Sequence, residues 1–243
     1  MKGVILAGGL GSRLRPMTKV TNKHLLPVYN QPMIYYPIQC LVNAGIKDIM
    51  IVTGGNSSGD FLKLLGNGSE FGIRGLQYAY QEGEGGIAEA LDLAEYFAAG
   101  EKICVILGDN IIETNIISAA KEFESQEKGG MILLKDVPDP ERFGVVQFDN
   151  NQQVTGIVEK PQNPPSNKAV IGIYFYDGSV FEKIKNCERS ARGELEITDV
   201  NNFYLNEGTL NHKEIEGWWS DAGTLESLHR VSNMIAETGA NKV

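Results

Sequence analysis

The sequence predicts an α/β fold, a mixed and mostly parallel sheet flanked by helices with a smaller antiparallel portion, and three observations predict it. Short runs rich in Val and Ile recur along the chain; the first four alternate with segments of helical spacing; the later ones follow one another without long helices between them. With 243 residues, 42% of them apolar, the chain can bury a large core, and no repeat or long linker divides it. One domain over residues 1–243 is expected.

The elements follow in order. Residues 4–7 make the first strand and run into a glycine-rich turn. A helix is expected over 33–44, a strand over 49–53, a helix over 61–65 and a strand over 76–80. The helix over 87–97 puts Ile87, Ala90, Leu91, Ala94 and Phe97 on one face, and the apolar run 103–107 is the fourth strand. Strands at 131–134, 145–148 and 170–176 have no long helices between them, so antiparallel pairing is expected there. Ser179 with Glu182 reads as a capping box for a helix to about residue 185. Helical spacing returns at 197–205 and 225–235, and the prolines of 161–165 mark a surface loop.

Composition narrows the function classes. There are 22 Lys plus Arg against 31 Asp plus Glu, a net charge of −9, which disfavours a general nucleic-acid or anionic-membrane binder. Three scattered cysteines, Cys40, Cys104 and Cys187, suggest neither a disulfide framework nor a zinc site and fit a reducing compartment. No apolar stretch reaches a membrane span, and the run 4–7 is too short for a signal-peptide core, so a cytoplasmic protein is expected. The charge is uneven: residues 1–47 hold six basic side chains and no acidic one, centred on the glycine-rich segment 8–23. That segment is suited to an anion.

After the first strand comes Gly8-Gly9-Leu10-Gly11-Ser12-Arg13-Leu14. Glycines there let backbone N–H groups approach phosphate oxygens. The dinucleotide fingerprint fails at Leu14, and the P-loop's Gly-Lys-Ser/Thr is absent. What remains is a loop supplemented by its own cations, Arg13 and Lys23, as a triphosphate would require.

The run Leu6-Ala-Gly-Gly-x-Gly-Ser-Arg-Leu-x-Pro-x-Thr18, followed by Asn22-Lys23-His24-Leu-Leu-Pro27-Val28 and Pro32-Met33, resembles the signature of the sugar-1-phosphate nucleotidyltransferases. The likeness continues in order through residues 81–90, Leu107-Gly-Asp-Asn110, Glu141-Arg-Phe-Gly-Val145, Glu159-Lys-Pro161, residues 190–199 and Trp219-Ser-Asp-Ala-Gly-Thr224. It covers nearly the whole chain and is nearest to the short thymidylyltransferases. The resemblance implies a Rossmann-like domain, with residues 1–130 mainly nucleotide-binding and 131–243 mainly sugar-binding and metal-completing. It implies an enzyme that uses Mg2+ to join dTTP and α-D-glucose 1-phosphate into dTDP-glucose and pyrophosphate by direct in-line displacement, on a route to nucleotide sugars such as those of dTDP-rhamnose and cell-surface polysaccharide. A homo-oligomer, a tetramer by resemblance, is expected, with no nucleic-acid or membrane partner.

The site residues carry over by position. The resemblance assigns Gly8, Gly9, Gly11, Ser12, Arg13, Gln81, Gly86 and Asp109 to the nucleotide, with Gln81 pairing to the pyrimidine edge. It assigns Lys23, Gly144, Glu159, Lys160, Val170, Gly172 and Arg192 to the sugar phosphate. Asp109 and Asp221 are the implied metal ligands, and Arg13, Lys23, Asp109 and Asp221 the catalytic set. The attacking phosphate oxygen is already ionised at neutral pH, so no general base is required and positioning with charge neutralisation carries the rate. Asp109→Asn is then expected to abolish magnesium-dependent turnover with little change in thermal unfolding. Ile171 stands where relatives often have Thr, which removes a hydroxyl expected near the hexose, and the loop 110–115 is shorter than in relatives with an extra regulatory nucleotide site. Three rivals remain open: the same chemistry with UTP, whose base differs by one methyl; a catalytically silent sugar-nucleotide sensor; and, against the broken fingerprint, a nicotinamide oxidoreductase.

Overall fold

The computed structural model describes all 243 residues, the side chain of Asn56 apart. In chain order the strands are β1 Lys2–Ala7, β2 Pro27–Val28, β3 Gln31–Pro32, β4 Asp48–Gly54, β5 Gly75–Gln81, β6 Ile103–Leu107, β7 Asn110–Ile112, β8 Gly130–Asp136, β9 Gly144–Phe148, β10 Val154–Glu159, β11 Lys168–Tyr176, β12 Leu210–Glu214 and β13 Trp219–Asp221. The helices are α1 Tyr35–Asn43, α2 Ser58–Leu65, α3 Ile87–Asp92, α4 Glu95–Ala98, α5 Ile117–Ser125, α6 Val180–Lys185, α7 Ile197–Asn206 and α8 Leu225–Thr238.

Nine strands form one sheet. Its path runs β10-β9-β11-β6-β1-β4-β5, and β8 lies against β11 with β12 on its far side. The segment β6-β1-β4-β5 is parallel, with Val4 beside Met50 and Val105. Strand β11 runs antiparallel to β6, β8 and β9, as the missing crossover helices required.

Strand alternation divides the core in two. Val4 and Leu6 of β1 face one side with Val105, Tyr174 and the helices α3, α6 and α7; Ile5 and Ala7 face the other with Ile106, Phe175 and the helices α1, α2 and α5. Both faces are covered, and this is why the central strands read as uninterrupted apolar runs. A third cluster packs α8, through Val231 and Ile235, onto Val28, Met33, Ile111 and Ala222.

Four local expectations are corrected. The helix over 87–97 is broken into α3 and α4 by a tighter i→i+3 turn, Ala94 N–H to the Leu91 carbonyl at 2.9 Å, although the same apolar face is buried. The capping box at Ser179 and Glu182 does not form, because Ser179 Oγ donates instead to Asp177 Oδ1 at 2.6 Å; the chain's reciprocal cap is Thr224 with Ser227 at the start of α8. Strands β10 and β12 went unforeseen because their sequences, Val-Thr-Gly-Ile-Val-Glu and Leu-Asn-His-Lys-Glu, are half polar and lie at sheet edges. The first residues of the loop 110–115 form β7, which pairs antiparallel with β13 and sets Asn110 beside Asp221.

Candidate active site

Beyond Ala7 the chain leaves the carboxyl end of β1 through Gly8, Gly9 and Leu10, and turns at Gly11, whose φ of 63 favours glycine. A Cβ at Gly11 would stand 2.9 Å from Lys23 Cβ, and one at Gly8 would stand 2.6 Å from Gln81 Oε1. These glycines therefore admit neighbouring side chains as well as any phosphate.

Lys23 is delivered by a second short turn, Lys23–Leu25, capped by Asn22. The Asn22 amide donates to the Ala7 carbonyl at 3.1 Å, while its oxygen accepts from the His24 backbone N–H at 2.9 Å. One buried side chain thus fastens the lysine turn to the end of the first strand. The same oxygen accepts from His24 Nδ1 at 2.7 Å. Burial, and then the positive charge of Lys23, push the His24 imidazole down to about 3, so it is neutral near pH 7 and does not serve there as an imidazolium acid.

That neutrality has a pH signature. The unfolded imidazole titrates at 6.5 and the folded one at about 3, so acidification below 6.5 protonates the unfolded chain alone. The corresponding stability is complete above 6.5 and is lost as pH falls, amounting to a loss of ~2 kcal/mol at about pH 5. Urea unfolding at the two pH values measures the loss, and ring NMR should show the His24 imidazole failing to titrate down to about pH 4.

Asp109 lies just past β6 at the carboxyl end of the parallel strands, 8% exposed. Its carboxylate is paired with the Lys23 ammonium and accepts from Asn110 Nδ2 at 3.0 Å. Burial raises its pKa, but the charge and hydrogen bond of Lys23 outweigh that and hold it well below the usual carboxylate range. Asp221 ends β13, and the adjoining Ala222 N–H donates to the Asp109 carbonyl at 2.8 Å, locking the two segments together. Burial, and then the negative charge of Asp109, push Asp221 up, with Arg142, Arg13 and Lys23 opposing.

The two carboxylates share a hollow made by Gly223. A Cβ there would stand 3.1 Å from Asp221 Oδ2, 3.6 Å from Asp109 Oδ2 and 3.3 Å from Arg13 Nη2. Two carboxylates converging on a space kept open by glycine are the oxygen donors a hard divalent cation would take.

These groups line one cleft of about 510 Å³. Toward β1 and β5 lie Gly8, Gly9, Ser12, Arg13, Gln81 and Gly86; Gly11 lies behind Lys23 and does not line the cleft. Gln81 closes β5 and donates to the Gly86 carbonyl at 3.3 Å. Gly86, with φ 103, packs against the 193–196 segment, where a Cβ would stand 2.5 Å from the Leu195 carbonyl oxygen. At the other end lie Gly144, Glu159, Lys160, Val170 and Gly172. Glu159 accepts from Thr198 Oγ1 at 2.6 Å and stands 3.7 Å from the Lys160 ammonium. Arg192 does not line the cleft: it is drawn to Glu196 at 2.8 Å, Glu159 at 3.4 Å and Glu194 at 3.5 Å.

The expectation for Ile171 is corrected. Strand β11 shifts register against β8 between Val170 and Tyr174, and Val170 and Gly172 face the cleft while Ile171 is fully buried in the opposite core with Ile173 and Phe175. A threonine hydroxyl at that position would point away from any sugar.

Two residues of the site lie within the motifs quoted above but carry no role there. Asn110 accepts from Gly172 N–H at 2.9 Å and from Trp219 Nε1 at 2.8 Å while donating to Asp109, so it ties the turn after β6 to β11 and β13 at one point. A Cβ on Gly172 would stand 2.7 Å from that amide. Arg142 reaches Asp221 from the turn before β9, and a separation of 79 positions left nothing local to name that partner.

The family model described as nucleotidyl transferase matches residues 2–238. Among curated proteins, the chain is 47% identical to the glucose-1-phosphate thymidylyltransferase of Neisseria gonorrhoeae over 97% of its own length and 82% of the relative's, and 44% identical to that of Xanthomonas campestris over 96% and 80%. Among solved structures, a Bacillus anthracis protein assigned as a glucose-1-phosphate thymidylyltransferase, in complex with a sucrose, superimposes with TM-score 0.92 at 52% identity, covering 96% of this chain and 94% of that one. A UDP-glucose pyrophosphorylase complexed with UDP-glucose, at 24% identity and TM-score 0.85 over 97% and 98%, shares the fold.

Proposed function

The chain belongs to the nucleotidyl transferase family, and from that premise we propose that its cleft transfers a thymidylyl group from dTTP to α-D-glucose 1-phosphate, releasing pyrophosphate and forming dTDP-glucose. The observation that carries this reading is the convergence of Arg13, Lys23, Asp109 and Asp221 at the middle of one cleft, with Gln81 at one end and Glu159 at the other. The relatives named above supply the identity of the two substrates.

The reaction needs little covalent help from the protein. An oxygen of the sugar phosphate attacks the α-phosphorus of dTTP as the bond to the β-phosphate oxygen breaks, and the electron pair leaves on pyrophosphate. Two polyanions must be brought into line, so cations do most of the work. Lys23, fixed by Asn22, takes the attacking and transferred phosphates; Arg13, rising from the glycine loop, takes the leaving pyrophosphate, and the N–H groups of Gly8 to Ser12 support it. Gln81 reads the pyrimidine edge, Glu159 accepts from hexose hydroxyls held beside Gly144, Val170 and Gly172, and Lys160 and Arg192 face the sugar phosphate. For Arg192 this requires leaving its three carboxylates when the anion binds. Residues 1–130 thus serve mainly the nucleotide, and residues 131–243 the sugar and the second carboxylate. Asp109 and Asp221 would hold Mg2+, which when bound neutralises charge on the nucleotide's phosphates.

Pyrophosphate release, measured with magnesium and glucose 1-phosphate and equal subsaturating dTTP or UTP, tests the assignment. Faster release from dTTP is expected. Equal or faster release from UTP reassigns the base preference, and none with either nucleotide removes the catalytic reading.

A further inference from the structure

The Gly223 hollow is flanked by cations that already occupy its carboxylates. Lys23 pairs with Asp109. On the other side Arg142 lays one nitrogen across both oxygens of Asp221, Nη2 standing 3.3 Å from Oδ1 and 3.1 Å from Oδ2. Its second nitrogen, Nη1, donates to Asp139 Oδ2 at 2.6 Å, and the guanidinium lies 5.0 Å over the ring of Phe143. Arg142 is therefore fixed at two points on its own turn and reaches into the cleft from there.

A guanidinium spread over a carboxylate uses the same oxygen lone pairs that a hard divalent cation needs, and the two positive charges repel. Arginine and metal ion must then compete for Asp221. Because Asp139 and Phe143 hold the far side of the guanidinium, displacement from Asp221 leaves it in the cleft wall, where a phosphate oxygen is its next partner.

We propose that Arg142 is the counter-cation of Asp221: it positions the carboxylate in the free protein, yields it when a divalent cation arrives with the nucleotide, and then faces the bound phosphates. It is a positioning residue, and the proposal rests on the reading of Asp109 and Asp221 as metal ligands. The free protein then binds a divalent cation weakly, and the ion is taken up as its nucleotide complex.

The test is a titration of Mn2+ into nucleotide-free protein, followed by water-proton relaxation. Arg142→Gln is expected to bind Mn2+ more tightly than the wild type by roughly tenfold, the effect of removing one charged hydrogen-bonding competitor, while turnover falls even at saturating metal. Arg142→Lys keeps the charge and should stay near the wild type in Mn2+ affinity. Should Arg142→Gln not fold, Asp139→Asn carries the test, with a smaller shift in the same direction. Mn2+ affinity that fails to rise in the variant that carries the test, or that rises equally in Arg142→Lys and Arg142→Gln, overturns the proposal. The metal reading itself is tested separately by Asp221→Asn: if that variant binds Mn2+ with dTTP as tightly as the wild type, the ligand assignment fails. Binding that depends on Asp221 but is insensitive to Arg142 removes the present inference alone.

Discussion

Asp109→Asn is expected to lower kcat by about 10³-fold, with no recovery as magnesium is raised, because the side chain loses charge at the point where two polyanions must be neutralised. The structure revises the companion expectation that unfolding would be little changed. Asp109 is the counter-ion of Lys23, whose side chain is 14% exposed, and an asparagine leaves that ammonium largely buried and unpaired. A loss of about 2–3 kcal/mol is expected, at or just below the low end for broken buried pairs because the cleft admits water. Initial rates over a magnesium series, with urea unfolding of the same preparations, separate the two effects. Retention of more than roughly a tenth of wild-type kcat would rule out Asp109 as a metal ligand, on the usual scale of such losses.

Lys23→Gln should cost a comparable amount, about 10²–10³-fold in kcat, since a neutral amide of similar length keeps the packing and removes the charge on the transferred phosphate. Its second consequence runs the other way. Asp109 is released from its ion pair, so Mn2+ binding by the free protein should strengthen while turnover collapses. Lost turnover accompanied by weakened metal binding would show that Lys23 acts by supporting the carboxylate rather than by meeting the phosphate.

The interior of the fold was largely legible. The strand starting at Lys2, the one from Asp48 and the one from Ile103 are covered on both faces, so burial alone demanded the apolar runs by which they were found. The glycine loop was legible because few residue types permit its turns, and the positions of Arg13, Lys23, Asp109 and Asp221 were carried by the order of motifs. The edge strands Val154–Glu159 and Leu210–Glu214 were not, because an edge strand is defined by the neighbour it pairs with and its own side chains are free to be polar. Ser179 shows the limit of local rules: its hydroxyl had two plausible partners, and the nearer presence of Asp177 decided between them.

The sequence by itself determined the class of fold and the kinds of chemistry the chain can offer, since these depend on periodicity, burial and residue type. Which groups meet was decided by tertiary structure. Asn22 reaches Ala7 across 15 positions, Arg142 reaches Asp221 across 79 and Lys23 reaches Asp109 across 86, and the packing of the sheet decides that the face of the strand carrying Ile171 is buried in the core opposite the cleft. The physical reason is that an ion pair or a hydrogen bond depends on distance and direction in space, and those are set by how the whole sheet packs rather than by any local run of residues.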